Sequence, residues 1–287
     1  MLHRRGLLAG ALAVVAGGAQ AQLLRPAQPS GARAGFRFLS TDDVDVAAYI
    51  SALTTPPSAA ERSRLNSLVT GLKADGVWPP LDRLNVLAAE TQQAGLRDLR
   101  NPTKTLTVGG TVTFTADRGF AGDGTTGYLD LGEAFAATGN QFALNSSSMG
   151  VWCNAQTSGG AMPQIGNLAN SPRSTITPRS TAGNELFQAN DSSTDVLMAS
   201  PLSRVGHRAW SRTGAAVKRG FFNGSRTADL TTASVAVNTT NGCLLRSGTS
   251  FTDDRFAAFW SGAGLTDAQQ AALHSRISAY LSGKGAA

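Results

Sequence analysis

Two carboxylates on one strand would give this chain the chemistry of glycan cleavage. Residues two apart in a strand point to the same face, so an alternating Glu-x-Asp set can hold an acid and a nucleophile on either side of a glycosidic bond. From residue 101 onward the only glutamates are Glu133 and Glu185, and neither has an acid two residues away. The sequence therefore predicts that the protein is not an enzyme. Should it cleave glycans, alanine at Glu133 or Glu185 is expected to abolish the activity.

Other catalytic arrangements are missing from the sequence as well. It contains no Gly-x-Ser-x-Gly elbow of a serine hydrolase, no phosphate-binding glycine loop and no His/Cys pair at zinc-ligand spacing. Beyond the first residues the histidines are His207 and His274, and a lone histidine is more often structural. The formal net charge of +6 is scattered and forms no Lys/Arg-rich cluster, which argues against nucleic acid as a partner.

Calcium is the one metal that the sequence allows, and no other cofactor is predicted. Calcium takes oxygen ligands, commonly from loops. Two oxygen-rich loops supply the candidate ligands Asp191, Asp195, Asp253 and Asp254. Turns explain these residues equally well, because aspartate side chains commonly bond the backbone of a turn.

Sugar recognition would combine an aromatic platform with polar side chains on loops. Trp210, Arg212 and Asn223 lie near a predicted hairpin, and Asn154 follows an apolar segment. These four are the candidate glycan-binding residues. Trp210 also fits a place in the hydrophobic core, because a tryptophan buries a large apolar area, and the sequence leaves both interpretations open.

A block of short helices is predicted over residues 41–100, ahead of the strands. Apolar residues recur at helical spacing in two segments, and Ser58 with Glu61 forms a capping box at the start of the second. A third helix is predicted to begin after the Trp-Pro-Pro segment and to bury Leu81 and Leu84. Short amphipathic helices must pack on another element, which here is the β part.

From residue 101 the pattern changes to strand-sized segments separated by Gly, Asn, Asp and Ser turns. Asn223-Gly224 indicates a tight hairpin, because its turn type needs positive φ at both positions. Near the end, Thr266 and Gln269 cap a last helix. The predicted fold class is mainly β, a two-sheet jelly-roll sandwich over residues 101–287 with a C-terminal helix.

The start of the chain indicates export. A basic start and the apolar stretch LLAGALAVV precede a small-x-small cleavage site at residues 19–21, which predicts a signal peptide over residues 1–21 and a secreted or periplasmic protein. Residues 22–40 are rich in Pro, Gly and Ala and predict a flexible tether. In an oxidising compartment Cys153 and Cys243 form either one disulfide or two buried thiols.

Several segments together resemble a known family. They are GFAGDGTTGYLDLG, GVWCNA, RAWSRTGAAVKRGFFNGS and FAAFWSGAGLTDAQQAALHSRISAYL. With the helical lead-in they are similar, from about Asp45 to Leu281, to the concanavalin A-like (LamG-type) jelly-roll proteins that phage and prophage regions encode. The resemblance implies a lectin-like two-sheet jelly roll with a carbohydrate-binding or structural role. The signal peptide departs from it, because phage virion proteins assemble in the cytoplasm.

The sequence thus favours a non-catalytic glycan-binding or adhesion module whose partner is a cell-surface polysaccharide. A structural component of a phage tail or virion, in contact with other phage-particle proteins, is the main alternative and would place the protein in the virion. A glycan-cleaving enzyme is the third. No segment of the mature chain is long and apolar enough to predict a membrane span.

Overall fold

The structure, a computed structural model, describes residues 42–156, 165–167, 173–177, 183–199, 203 and 205–287. The predicted signal peptide (1–21) and tether (22–40) lie outside the described residues and stay predictions. Within the described part, no helix has the length and apolar character needed to cross a membrane.

The described helices and strands follow one another as a helical start, a long series of strands and a last helix. The helices are α1 (Val44–Ser51), α2 (Ala59–Ala74), α3 (Gln92–Leu96) and α4 (Asp267–Ser282). The strands are β1 (Leu81–Asn85), β2 (Thr107–Gly109), β3 (Val112–Thr115), β4 (Gly119–Gly122), β5 (Tyr128–Asp130), β6 (Ser147–Ala155), β7 (Ile165–Asn167), β8 (Arg173–Thr177), β9 (Glu185–Asp191), β10 (Asp195–Met198), β11 (Gly206–Gly214), β12 (Val217–Phe222), β13 (Ser225–Leu230), β14 (Gly242–Leu244), β15 (Arg246–Ser247), β16 (Ser250–Phe251) and β17 (Arg255–Gly262).

The strands form two large antiparallel sheets. The eight-stranded sheet has the order β13-β12-β11-β6-β17-β4-β3, with β1 also paired to β17. The seven-stranded sheet has the order β10-β9-β8-β7-β14-β5-β2, and β15 and β16 form a separate small hairpin. The predicted fold class, a mainly β two-sheet sandwich with a short N-terminal helical block and a C-terminal helix, is confirmed.

Apolar side chains fill two layers, one on each face of the eight-stranded sheet. In β6, Val151 and Cys153 face the core between the two sheets, while Trp152 between them faces the core under the helices. This follows from the strand period of two, which sends neighbouring side chains to opposite faces. A strand covered on both faces has no polar side, which explains the continuous apolar segment at β6.

The predicted third helix is wrong. Leu81–Asn85 forms the strand β1, which pairs antiparallel with β17 so that Leu84 lies opposite Trp260. Every residue of β1 except Asp82 is buried. The edge of β17 offers backbone partners to this segment, so sheet pairing overrides the helical spacing.

The helix caps follow the sequence with one difference. Ser58 Oγ accepts a hydrogen bond from the Glu61 backbone N–H at 3.1 Å, and Thr266 with Gln269 forms the reciprocal capping box of α4. The Glu61 side chain does not return to Ser58. It is buried and accepts a hydrogen bond from the Tyr280 hydroxyl, which joins α2 to α4.

Both cysteines are buried free thiols. Cys153 lies in the core between the sheets, and Cys243 lies on β14 of the seven-stranded sheet. Burial raises the pKa of the Cys243 thiol to about 12. The structure therefore has two thiols where the sequence left a disulfide open.

Candidate functional site

The candidate glycan-binding residues Trp210 and Arg212 lie inside the sandwich. Both have 0% exposure, and Trp210 contacts the edge of the Phe142 ring with the centroids 5.9 Å apart. A ring without an exposed face cannot stack on a sugar. The sequence allowed Trp210 to be either a sugar platform or a core residue, and in the structure it is a core residue.

The other two candidates, Asn223 and Asn154, hold backbone and side chains in place. Asn223 has a φ of 48° in the β12–β13 hairpin, and its Oδ1 accepts a hydrogen bond from the His207 backbone N–H at 2.9 Å. Asn154 Nδ2 donates to the Arg118 carbonyl at 2.8 Å, and its Oδ1 accepts from Arg255 Nε at 3.0 Å. The structure therefore does not bring the four candidates together on one surface.

The first predicted calcium loop contains a buried ion network. Asp191 Oδ2 lies 2.7 Å from Arg212 Nη2 and 2.7 Å from Lys218 Nζ, and Lys218 also pairs with Asp195. The Lys218 ammonium thus lies between the two carboxylates that would have to share a calcium ion. Here Asp191 and Asp195 are ion-pair partners of protein cations.

The second predicted calcium loop precedes β17. Asp254 is buried, Asp253 is half-buried, and the Asp254 backbone N–H donates to Thr252 Oγ1 at 3.2 Å. Across the described ranges, no group of three or more His, Cys, Asp and Glu side chains is arranged to hold a metal ion. A role of Asp253 and Asp254 in calcium binding stays a prediction.

The two glutamates considered for glycan cleavage have different surroundings. Glu185 is fully buried and pairs with Arg208, and burial raises the pKa of its carboxyl. Glu133 is partly exposed, with a side-chain exposure of 24%, and lies beside a surface cleft. This cleft is the candidate site described below.

The cleft opens at the start of β1 and has a volume of about 350 Å³, within the usual size range of small-ligand sites. Its walls come from the start of β1, the loop after α3 and the loop after β5. We call it the polar cleft, and its lining residues are Leu81, Asp82, Arg100, Asn101, Lys104, Thr138, Gly139, Asn140 and Gln141.

Asp82 fixes one wall of the polar cleft. Its carboxylate oxygens accept hydrogen bonds from the backbone N–H groups of Gln141 (2.7 Å) and Phe142 (2.9 Å). Burial raises the pKa of Asp82, although these hydrogen bonds oppose the shift. Phe142 stacks on Phe135 with the centroids 5.6 Å apart, so the same loop is also anchored in the core.

Glu133 holds the cations at one end of the cleft. Its Oε1 accepts hydrogen bonds from Lys104 Nζ (2.6 Å), Arg83 Nε (3.2 Å) and Asn140 Nδ2 (3.2 Å). Burial alone would raise the pKa of Glu133, but the bonds and charges of Lys104, Arg83 and Asn140 lower it overall. Glu133 is therefore an ionised anchor that positions Lys104.

Asp98 shapes the loop that carries Arg100. Its buried Oδ1 accepts hydrogen bonds from the backbone N–H groups of Leu84 (3.1 Å), Arg100 (2.8 Å) and Asn101 (3.3 Å). Burial raises the pKa of Asp98 to about 6. Because Leu84 belongs to β1, these bonds tie the loop to the sheet and fix the position of Arg100.

Arg100 provides the free charge of the cleft. Its guanidinium carbon lies 5.4 Å from the centre of the Trp78 ring, a cation–π distance. Among the described residues it has no carboxylate within ion-pair distance and its Nε has no hydrogen-bond partner. Lys104 Nζ has three N–H donors and uses two, on Glu133 and Asn140. The cleft can therefore donate charged hydrogen bonds to an oxygen-rich ligand.

Of this site, sequence reasoning identified Glu133 and missed the rest. Asp82, Arg100 and Lys104 come from segments that meet only through the pairing of β1 with β17 and the Asp98 bonds. The one available signal was local composition, since residues 100–104 and 138–141 are polar and lack large apolar side chains.

Comparisons with known proteins concern the fold. No family model matches the chain, and no curated protein matches its sequence. Among solved structures, Trypanosoma rangeli sialidase in complex with sialic acid is similar at 8% identity and a TM-score of 0.52, over 75% of this chain and 39% of the sialidase. A second structure of Trypanosoma rangeli sialidase matches at 9% identity and a TM-score of 0.50, over 76% of this chain and 39% of the sialidase. Domain 4 of AbnA, a GH43 extracellular arabinanase from Geobacillus stearothermophilus, in complex with arabinotriose, matches at 18% identity and a TM-score of 0.43. The match covers 67% of this chain and 99% of that domain.

The two sialidase structures, with TM-scores of 0.52 and 0.50, place the chain in the class of two-sheet β-sandwich proteins. They also contradict the prediction that the protein is not an enzyme, because a structure sharing its fold is a sialidase, which is a glycoside hydrolase. Missing strand-paired carboxylates therefore do not exclude catalysis. The chain spans only 39% of the length of the sialidase. The similarity therefore shows the fold alone, and any activity of this chain is a matter for proposal.

Proposed function

We propose that this protein is a carbohydrate-binding β-sandwich and that sugars bind in the polar cleft. The observation that carries the proposal is the donor set of the cleft, a free guanidinium at Arg100 and a spare N–H of Lys104 held in fixed positions by Asp98 and Glu133. Sugars present many hydroxyl oxygens, and convergent polar groups in a cleft of this size are what orients such a ligand.

The fold supports the same function. A solved structure that shares the sandwich is a sialidase in complex with sialic acid, so proteins with this architecture include one that acts on a sugar. This support is analogy at the level of the fold, and the residues of the cleft supply the specific argument.

Blocking the cleft is expected to weaken glycan binding. Thr138 is exposed on the rim, and Thr138→Trp would place an indole in the opening. The full chain should bind a glycan in an array of bacterial and plant polysaccharides, and the variant should bind the same glycan at least about tenfold more weakly by titration calorimetry.

Ser282→Trp is the matched control, because Ser282 is exposed and does not line the cleft. It should bind as the wild type does. Equal affinity of Thr138→Trp and wild type would move the binding site elsewhere, and no binding to any glycan on the array would refute the proposed function.

The place of action follows from the start of the chain. We propose an exported protein that meets a cell-surface polysaccharide, and detection of a mature N-terminus at Gln22 in the periplasm or medium would support it. A phage-structural role, with other phage-particle proteins as partners, is the alternative, and co-purification with assembled particles would favour that role.

A further inference from the structure

The charge of the polar cleft points to a more specific ligand. Arg100 lacks a carboxylate partner among the described residues, whereas the other cations around the cleft, Arg83 and Lys104, both pair with Glu133. A guanidinium held against an aromatic ring and left unpaired is a receptor for a carboxylate, which it can bind through two parallel N–H···O bonds. We propose that the cleft recognises the carboxylate of an acidic sugar, such as a uronic or sialic acid, an inference that rests on the proposed function.

The geometry favours one orientation of this ligand. Asp82 is the acidic residue that lines the cleft, and its two oxygens accept the backbone N–H groups of Gln141 and Phe142. The ligand carboxylate therefore pairs with Arg100 and the third N–H of Lys104, and its hydroxyl groups contact the amide wall at Asn140 and Gln141. A neutral sugar leaves the Arg100 charge without its partner.

The preorganisation of Arg100 strengthens the argument. The Asp98 bonds fix the backbone of Arg100, and the cation–π contact with Trp78 restricts its guanidinium before a ligand arrives. A preorganised side chain loses less conformational freedom on binding than a mobile surface arginine does.

The test uses paired probes that differ in the acidic group. They are an oligogalacturonate with its methyl ester, and sialyllactose with its methyl ester, each titrated into the full chain. The acidic member of at least one pair should bind roughly 10- to 100-fold more tightly than its neutral partner, the gain expected from hydrogen bonds to a charged group. Its affinity should fall as salt is added.

Arg100→Gln should remove this preference, so that the acidic and neutral members of a pair bind with equal affinity. Arg100→Lys keeps the charge but not the two-pronged geometry, so it should recover only part of the preference. Arg226→Gln is the matched control, because it removes one positive charge from a side chain that is 42% exposed and does not line the cleft.

The outcomes separate the two proposals. Equal binding of acidic and neutral members, or an acidic preference that persists in Arg100→Gln, overturns the carboxylate inference while carbohydrate binding stands. Binding of no member of either pair overturns the carboxylate inference, and the wider glycan array then decides the function separately. Far-ultraviolet circular dichroism of each variant shows that a lost preference is not a loss of fold.

Discussion

Replacing Asp191 by asparagine is expected to lower the free energy of unfolding by about 3–5 kcal/mol. Asp191 ends β9 in the seven-stranded sheet, and its partners Arg212 and Lys218 lie on β11 and β12 of the other sheet. All three side chains have an exposure of 0–1%. Without the carboxylate, the two cations stay buried with one negative charge fewer, and the penalty for an unpaired buried charge is large.

Arg212 should keep some of its hydrogen bonds in the Asp191→Asn variant, because it also donates to backbone carbonyl groups. Its Nε donates to Ala189 at 2.7 Å and its Nη1 to Ala215 at 2.6 Å. Burial lowers the pKa of Arg212, and the charge of Asp191 opposes that shift. Adding Lys218→Met to the Asp191→Asn variant should recover part of the lost stability, because it removes one of the two cations left without their shared carboxylate.

Urea denaturation at pH 7 measures the difference. Asp229→Asn is the matched control, since Asp229 pairs with Arg219 and Arg226 but its side chain is 55% exposed. The free energy of unfolding of this variant should stay within about 0.5 kcal/mol of the wild-type value, because exposed surface ion pairs usually contribute little to stability. If Asp191→Asn lowered the free energy of unfolding no more than Asp229→Asn does, the ion pairs of Asp191 with Arg212 and Lys218 would not stabilise the packing of the two sheets.

The network also shows what the sequence could have revealed. Arg208, Trp210 and Arg212 are spaced by two on β11 and so share one face. Once Trp210 is placed in the core, both arginines must be buried too, and each needs an acid from the facing sheet. Glu185 and Asp191, six residues apart on β9, lie on one face and supply those acids. Interpreting Arg212 and Asp191 separately, as a sugar contact and a calcium ligand, missed this pairing.

Local signals were sufficient for the architecture and insufficient for the site. The strand-sized segments, the Asn223 turn and the α4 capping box each depend on residues close in sequence, and each was predictable. The strand β1 was not, because its edge position depends on β17, which lies about 180 residues away in the pairing of Leu84 with Trp260. The polar cleft depends on that pairing, so local composition at residues 100–104 could not show that Arg100 meets Asp82.

The second large effect concerns acid, the buried His207 and its partly buried neighbour His274. His207 on β11 is 1% exposed, and its ring lies 5.8 Å from Trp152 and 5.5 Å from His274 on α4. Trp260 Nε1 donates to His207 Nε2 at 3.1 Å, which requires a neutral imidazole with its proton on Nδ1. Burial, followed by the charges of His274 and Arg208, lowers the pKa of His207 from 6.5 to about 3.

A histidine whose pKa is lowered by folding stabilises the protein above its unfolded pKa. This stabilisation is lost as the pH falls from 6.5 towards about 3, because the unfolded chain takes up the proton first. Between pH 7.5 and pH 5 the loss for His207 is about 2 kcal/mol. His207→Gln keeps an acceptor for Trp260 but does not titrate, so its unfolding free energy should fall by about 2 kcal/mol less than that of the wild type over the same interval.

Comparing the two proteins at both pH values isolates His207 from other titrating groups. Asp98, whose pKa burial raises to about 6, acts in the opposite direction, because its stabilising effect grows as the pH falls, and it is common to both proteins. His274→Gln should flatten the acid dependence as well, since burial also lowers the pKa of His274 and the change removes the second imidazole facing His207. Parallel stability curves for wild type and His207→Gln between pH 7.5 and 5 would mean that His207 is solvated or already protonated, and the helix α4 would then have no acid-sensitive contact at this point.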